Sequence, residues 1–409
     1  MNYIDLFAGA GGLSEGFKKV GFNPIAHVEA DKAACYTLKT RLAYHYLNEN
    51  NQIDIYNQYL KGDITRAELY SFIPQMLLNS VINESIGAET NESIFKKIDC
   101  IKENLKIDLI VGGPPCQAYS TMGRGALKHK KKDVRKQLYI EYGKFLLRYK
   151  PNMFVFENVP GLKTSDNGRH YKTIKEYFKL IGYRIDELLL NSWDFGVIQD
   201  RKRLILIGRK DSLDFSPIEF GNLHHKWDRD DIFDDLPSLQ AGQGSRWCSY
   251  KTSTNEYLKN TSIRDATDFT TLHISRPHNE RDLNIYKLAI AKLQNGVRLK
   301  NSDIPLEERT QNNIDDFLDR FKVVGKKPHT MIAHIAKDGH HFIHPNMEQL
   351  RSISIREAAR IQSFPDNFYF EGIKEFQNRS AAFRQIGNAV PPLMAEIIAN
   401  KIKKVLDGD

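Results

Sequence analysis

The sequence predicts an α/β fold built on a mostly parallel sheet, with a smaller irregular domain placed late in the chain. Three observations carry this expectation. Over the first 210 residues, short β-branched or aromatic runs alternate with longer stretches of helical apolar spacing, the rhythm of βαβ units. The strand-like runs are apolar on both faces, as strands covered by helices on each side are. Several end in Gly- or Pro-rich loops, at the sheet edge where α/β folds carry their chemistry.

In chain order, residues 3–7 form the first strand, followed by a glycine loop and a helix from Leu13; residues 24–29 form the second, with a helix from Asp31. Residues 48–104 are polar and Asn-rich and read as an insertion, with Gly62, Asp63 and Ile64 embedded in it. Further strands follow at 108–111, 153–156, 185–190 and 204–207. From Asp211 to Gly325 the apolar runs shorten and Trp, His, Asn and Arg become frequent, which marks a second domain. Helical spacing returns at 354–362 and again after Pro392, where Leu393, Ile397, Ile398, Ile402 and Val405 recur on one face. The expected division is a first domain over 1–210, a second over 211–325, and a return segment over 326–409 that completes the first.

The 409 residues suit two or three domains, and a 41% hydrophobic fraction provides a core without covalent staples. Cys35, Cys100, Cys116 and Cys248 are too scattered for a disulfide framework, and no C-x-x-C pair suggests zinc, so no metal is expected. No apolar run approaches the ~18–20 residues of a membrane span, and the N-terminus lacks a signal-peptide core. The expectation is a cytoplasmic monomer. A net charge of +8 permits a polyanionic partner without requiring one.

Four motifs carry candidate chemistry. Residues 7–13, Phe-Ala-Gly-Ala-Gly-Gly-Leu, link a strand to a helix, and such glycines let a ligand approach backbone N–H groups; a purely structural turn is the alternative. Glu29 ends the next strand, where a carboxylate commonly accepts ribose hydroxyls. The Gly-x-Gly-Gly spacing favours a cofactor without a diphosphate. Residues 112–120, Gly-Gly-Pro-Pro-Cys-Gln-Ala-Tyr-Ser, hold Cys116 on a stiff loop straight after a strand, an unusual place for an inert cysteine. Glu157 ends the following strand at the same edge and is placed to donate a proton, or else caps a turn or pairs with Arg. Arg201 and Arg203, two apart before the run 204–207, share a face in an extended chain and so reach one anionic or carbonyl-bearing ligand, unless they only decorate a solvated edge. Residues 121–136 hold seven Lys or Arg against one Asp, a local excess of +6, directly after the cysteine loop. This suits phosphate contacts, although charge runs are commonly just solvated.

Taken in order, these residues resemble the DNA (cytosine-5)-methyltransferases. The resemblance rests on Asp5-Leu-Phe-Ala-Gly-Ala-Gly-Gly12, Pro114-Pro-Cys-Gln117, Glu157-Asn-Val159, Gln199-x-Arg201-x-Arg203, Arg356-Glu-Ala-Ala-Arg360-Ile-Gln362 and Gln385-Ile-Gly-Asn-Ala-Val-Pro-Pro392. It leaves uncovered the middle, which corresponds to the family's variable target-recognition domain. It implies a Rossmann-like methyltransferase domain that binds S-adenosyl-L-methionine, with Phe7 on the adenine and Glu29 on the ribose. Ala8, Gly9, Gly11, Gly12, Leu13 and Ala30 would add further cofactor contacts. Asp63 and Ile64 would line the adenine, and Pro115, Leu138, Asn388 and Ala389 would close the pocket. Cys116 would add to C6 of cytosine, Glu157 would protonate N3, Arg203 would contact the base carbonyl, and Arg201 would support Glu157 or a phosphate. Ser120, Arg124, Lys130, Lys131, Lys132 and Arg135 would contact DNA behind a flipped base. The chain departs from the family in the long stretch of roughly forty residues between Ile64 and Asp108, and in Tyr119, Ile198 and Ser354, which stand where Phe, Pro and Thr are usual.

The implied function is site-specific DNA methylation in a bacterial restriction–modification system, with a cognate endonuclease as possible companion. A tRNA cytosine-5 methyltransferase is the nearest alternative; the large 211–325 region favours duplex DNA, whose major groove needs a separate reading module. An NAD-dependent oxidoreductase would use the glycine loop and Glu29 but leave Cys116 and Glu157 without work. A silent DNA-binding protein would not need Cys116, Glu157 and Arg203 together.

Overall fold

The computed structural model describes residues 1–115, 137–213, 218–221, 223, 225–265, 267–309 and 320–408. The chain opens with β1 (Asn2–Leu6), α1 (Gly12–Lys19), β2 (Asn23–Glu29), α2 (Lys32–Glu49), α3 (Ile53–Lys61), α4 (Arg66–Ser71), α5 (Gln75–Asn79), β3 (Val81–Asn83), α6 (Asn91–Lys102) and β4 (Leu109–Gly112). It continues with α7 (Leu138–Tyr149), β5 (Met153–Asn158), α8 (Arg169–Leu180), β6 (Arg184–Asn191) and β7 (Lys202–Arg209). These seven strands form one sheet in the order β3-β2-β1-β4-β5-β7-β6.

Successive strand residues face opposite sides of a sheet, and here both sides are apolar. One face sets Leu6, Ile110, Phe154 and Leu206 against Phe95 of α6, Phe145 of α7 and Phe178 of α8. The other sets Tyr3, Val111, Val155 and Ile205 against Phe17 of α1 and against Met394, Ile398 and Ile402 of the final helix (Pro392–Asp407). The expected α/β class with a mostly parallel sheet is the observed one.

Two elements differ from the sequence expectation. The run at 204–207 reads like its parallel neighbours, yet β7 is antiparallel to both β5 and β6. About ten residues link β6 to β7, too few for the crossover that a parallel pairing requires. The stretch 48–104 is also more than an insertion. It carries α3 to α6, and β3 pairs with β2 to extend the sheet, with Glu29 opposite Asn83. A three-residue strand is too short to show a period in sequence.

Beyond β7 the described chain holds α9 (Asp230–Phe233), β8 (Trp247–Ser249), α10 (Glu256–Asn260), β9 (Phe269–Thr271) and α11 (Glu280–Gln294), then α12 (Ile355–Ile361), α13 (Arg379–Asn388) and α14 (Pro392–Asp407). β8 and β9 form a separate antiparallel pair. Phe233, Leu258, Phe269 and Leu272 share one core with Tyr56 and Tyr59 of α3 and with Ile361, Phe364 and Phe383. Among the described residues no helix is long and apolar enough to cross a membrane.

Buried arginines join this core to its polar seams. Arg360, fully buried, pairs through Nη1 with Asp235 at 2.5 Å and through Nη2 with Asp366 at 2.5 Å. Against the cost of burial, its guanidinium holds the Asp366 carboxyl below the ordinary carboxylate range. Breaking a buried ion pair costs about 3–5 kcal/mol; here Asp235 keeps Arg264 at 2.8 Å and Asp366 keeps the Tyr250 hydroxyl at 2.7 Å, so the loss falls at the lower end of that range. We therefore expect Arg360→Leu to lower the unfolding free energy by about 3 kcal/mol, read as a fall in denaturant midpoint at unchanged slope; a midpoint within error of wild type would show that Asp235 and Asp366 do not depend on it.

Candidate active site

The chain leaves β1 through a tight turn in which Phe7 (φ 55°), Gly9 (φ 55°) and Gly11 (φ 83°) all occupy the left-handed region. The turn is fixed by hydrogen bonds from Ala8 N–H to Val28 O (3.2 Å) and from Gly11 N–H to Ala8 O (2.8 Å). A Cβ placed on Gly9 would meet nothing within 4 Å, so the turn borders open space there. Glu29, at the end of β2, faces this turn. Its Oε2 accepts the Gly9 N–H at 2.8 Å and its Oε1 accepts the Asp31 N–H at 2.7 Å. Burial raises its pKa, against the pull of those two N–H groups.

The C-terminal segment closes on the same turn. A Cβ on Gly12 would lie 2.2 Å from Val390 O and 3.3 Å from Ala389 Cβ, so only glycine allows this contact. The turn residues Phe7, Ala8, Gly9, Gly11 and Gly12 are thus met by Glu29 at Gly9 and by Ala389 at Gly12, with Ala30 following Glu29. Leu13 points instead into the apolar layer with Phe17. Asn388 is exposed at the end of α13, Leu138 opens α7, and Pro115 is exposed beyond β4.

Asp63 and Ile64, expected at the adenine, are elsewhere. Asp63 is exposed after the C-terminus of α3, which is capped by Arg246 donating to Leu60 O at 2.7 Å, and Ile64 packs on the neighbouring core. The position beside β2 is taken by β3, whose Asn83 Nδ2 donates to Glu29 O (3.1 Å) and Ala30 O (3.0 Å). The intervening α4 and α5 separate the Gly-Asp-Ile triplet from the sheet edge, so the triplet misled the sequence reading.

A second constellation lies one strand over. Glu157, on β5, forms an ion pair with Arg203 of β7, Oε1 to Nε at 2.7 Å, with both side chains about nine-tenths buried. Gly113, after β4, leans on the same carboxylate: a Cβ there would lie 2.5 Å from Glu157 Oε2. Asn158 Nδ2 donates to Pro114 O at 3.3 Å, tying the proline loop to the end of β5. Sequence reasoning missed Gly113 and Asn158, though both stand inside the motifs it quoted.

Arg201 does not join this group. It precedes the first residue of β7, so the shared face predicted for an extended pair never forms. It is fully buried, and its guanidinium donates to the carbonyls of Met331 (2.5 Å), Gly387 (3.2 Å) and Ala389 (2.8 Å). The support of Glu157 expected from Arg201 comes from Arg203. Gln199 and Gln362 extend the clamp, Gln199 Nε2 to Gln362 Oε1 at 2.7 Å and Gln362 Nε2 to Ala389 O at 3.2 Å. Cys116, Tyr119, Ser120, Arg124, Lys130, Lys131, Lys132 and Arg135 lie outside the described residues.

Asp5 was read only as part of a motif. It is buried at the end of β1, with Oδ2 accepting Ser14 Oγ–H at 2.7 Å and Oδ1 without a hydrogen bond. Burial pushes its carboxyl up to about 7, with the Ser14 bond opposing and Glu29 adding to the rise. The folded protein therefore holds this proton more tightly than the unfolded chain. That stabilisation is complete below about pH 4 and is lost as pH rises through about 7, by at most about 1.4 kcal/mol per unit. Asp5→Asn is expected to flatten the fall in unfolding free energy between about pH 4 and pH 7, measured by denaturant titration at each pH; an unchanged slope would assign the loss to other groups.

Comparisons with known proteins agree with this geometry. The sequence model of the family "C-5 cytosine-specific DNA methylase" matches residues 1–69 and 82–404. The type II methyltransferase M.Bpa9945I of Bacillus paralicheniformis is 40% identical over 448 aligned positions that cover 100% of both chains. The type II methyltransferase M.DdeI of Desulfomicrobium norvegicum is 30% identical, over 98% of this chain and 88% of its own. A solved structure described as a prophage-encoded DNA modification methyltransferase of E. coli shares the fold with a TM-score of 0.65 at 24% identity, covering 100% of this chain and 99% of that one. With a family match over nearly its whole length and a full-length relative at 40% identity, the chain belongs to the C-5 cytosine-specific DNA methylase family and is a DNA (cytosine-5) methyltransferase.

Proposed function

We propose that the enzyme transfers a methyl group from S-adenosyl-L-methionine to C5 of a cytosine flipped out of duplex DNA, through a covalent adduct between Cys116 Sγ and C6. The observation that carries this reading is the Glu157–Arg203 pair, held against Gly113 on the loop that leads into Cys116. C5 of cytosine is too weak a nucleophile to attack a sulfonium methyl unaided. Addition of the Cys116 thiolate to C6 pushes electron density onto C5, and a proton from Glu157 to N3 neutralises the charge that develops. Arg203 orients the Glu157 carboxyl and contacts the base carbonyl. Loss of the C5 proton then expels Cys116 and restores the ring. Because C6 is inaccessible within a stack, the base must leave the duplex first.

S-adenosyl-L-methionine supplies the methyl group as an electrophile. The residues fit it: an open turn at Gly9, a carboxylate at Glu29 with lone pairs beyond those taken by Gly9 and Asp31, and the partly buried Phe7 ring. Ala8, Gly11, Gly12, Ala30, Pro115, Leu138, Asn388 and Ala389 complete our assignment of the cofactor wall, which omits Asp63 and Ile64 and keeps Leu13 only as backing.

We assign residues 1–210 and 326–409 to catalysis and 211–325 to target recognition, with Ser120, Arg124, Lys130, Lys131, Lys132 and Arg135 on the DNA. Full-length similarity to type II methyltransferases favours DNA over tRNA and supports a role beside a cognate restriction endonuclease; we further propose that the enzyme acts as a monomer.

Cys116→Ser should abolish methyl transfer while DNA binding persists, and DNA carrying 5-fluorocytosine should become covalently trapped on the native protein, because fluorine at C5 cannot leave as a proton does. Wild-type turnover in the Ser variant would end the covalent mechanism. Glu157→Gln should lower single-turnover methylation by roughly 10²–10⁴-fold with cofactor affinity unchanged in calorimetry; an equal loss of both would make the residue structural. Replacing Lys130, Lys131 and Lys132 by Gln should reduce the slope of log affinity against log salt by about 0.9 for each lost phosphate contact, and an unaltered slope would remove these residues from the DNA.

A further inference from the structure

A cluster of metal-ligating side chains lies outside the catalytic edge. His278 stands just before α11, Asp282 lies in the first turn of α11, and His340 comes from the loop that follows Asp338. One donor atom from each lies within 4.8 Å of the other two. Tyr286, one helical turn beyond Asp282, sets its hydroxyl 2.8 Å from His340 Nδ1 and 3.4 Å from His278 Nδ1. His278 is held from its far side by Ser352 Oγ, 2.9 Å from Nε2. Arg276 lies nearby, its Nη1 and Nη2 donating to the carbonyls of Ile335, Ala336 and Lys337.

We propose that His278, Asp282 and His340 bind one divalent transition-metal ion, zinc being the best fit, with the Tyr286 hydroxyl as the fourth donor. Two imidazoles, a carboxylate and a phenol form a borderline nitrogen–oxygen set. Calcium and magnesium prefer oxygen alone, and soft ions prefer thiolate. Tetrahedral zinc with bonds of about 2.0 Å holds its donors roughly 3.3 Å apart, so closure by about 1.5 Å of side-chain movement completes the site. The donors come from rigid supports: Asp282 is anchored by the helix that Asn279 caps at 2.8 Å, and the His340 N–H donates to Asp338 Oδ1 at 3.1 Å. The ion would pin the start of α11 to the segment that carries Ile343 and Ser352, closing a loop of 57 residues between Asp282 and His340. Its role is therefore structural, tying the region assigned to target recognition, which holds His278 and Asp282, to the return segment that holds His340. Expecting no metal followed from cysteine spacing alone, whereas this set forms only when two distant segments fold together.

The test is metal binding by the full-length protein after chelator treatment and re-equilibration with zinc or cobalt(II). One equivalent of zinc should be retained through gel filtration by mass spectrometry, the cobalt form should show the visible bands of tetrahedral nitrogen–oxygen coordination without a near-ultraviolet thiolate band, and zinc should raise the melting temperature of the wild type. The double variant Asp282→Asn, His340→Gln should retain no zinc and show no such rise. A wild type that holds no ion overturns the proposal whatever the variant does. A thiolate band, or equal zinc retention by a folded variant, overturns it as well and leaves the cluster as the hydrogen-bond chain Ser352–His278–Tyr286–His340.

Discussion

The direction of β7 is the constraint on which the catalytic edge depends. Arg203 is the second residue of this eight-residue strand. At about 3.3 Å per residue, a parallel β7 would leave it roughly 20 Å from the ends of β4 and β5. Because β7 runs back between β5 and β6, its first residues arrive where β5 finishes, and Leu204 pairs with Asn158. The guanidinium then meets Glu157 with almost no solvent between them. A buried ion pair of this kind contributes little net stability, since desolvation offsets most of the attraction. What it provides is one fixed orientation of a carboxyl group beside the cysteine loop.

The glycine turn after β1 depends on contact between the two ends of the chain. Gly12 has no side chain and so admits the carbonyl of Val390, which brings α13 and α14 down onto the turn after β1. That seat is held from beneath by polar groups. Arg201, Gln199 and Gln362 donate to the carbonyls of Met331, Ile361, Ile386, Gly387 and Ala389, as buried backbone acceptors require. Residues 199–203 therefore serve both halves of the site. Arg201 holds the wall beside Gly12, and two residues later Arg203 holds Glu157. A shift in this short segment would be felt at the glycine turn and at the Glu157 carboxylate together, which is a physical reason for two arginines at this spacing.

The fold class was legible because sheet strands buried on both faces leave continuous apolar runs, and the loops at 7–13, 112–115 and 157–159 were legible because glycine and proline punctuate them. Strand direction was not, since an antiparallel central strand buried on both faces has the same composition as a parallel one; only the short link from β6 carried the signal. β3 left no periodicity in three residues, and without it the Gly-Asp-Ile triplet at 62–64 was the nearest match to a familiar pattern. Arg201 and Arg203 looked alike because an alternation argument holds only inside a strand, and the strand begins between them. Asp5 was visible as a letter in a motif, but its raised pKa is a product of burial by segments that arrive from elsewhere.

The same distinction between composition and placement applies to charge. A net charge of +8 counts every arginine equally, yet several are unavailable to a polyanion. Arg360 is matched by Asp235 and Asp366, Arg351 by Glu357 and Arg41 by Glu15, all within the protein. Arg201 and Arg356 are fully buried and donate mainly to backbone carbonyls. Their fields are largely spent inside, and the long-range attraction felt by a phosphate backbone must come from exposed cations. Residues 121–136 contribute +6 of the total and leave +2 over the other 393, so the sequence places most of the net positive charge between the cysteine loop and α7. An enzyme so balanced elsewhere has little net charge outside that segment with which to attract a polyanion.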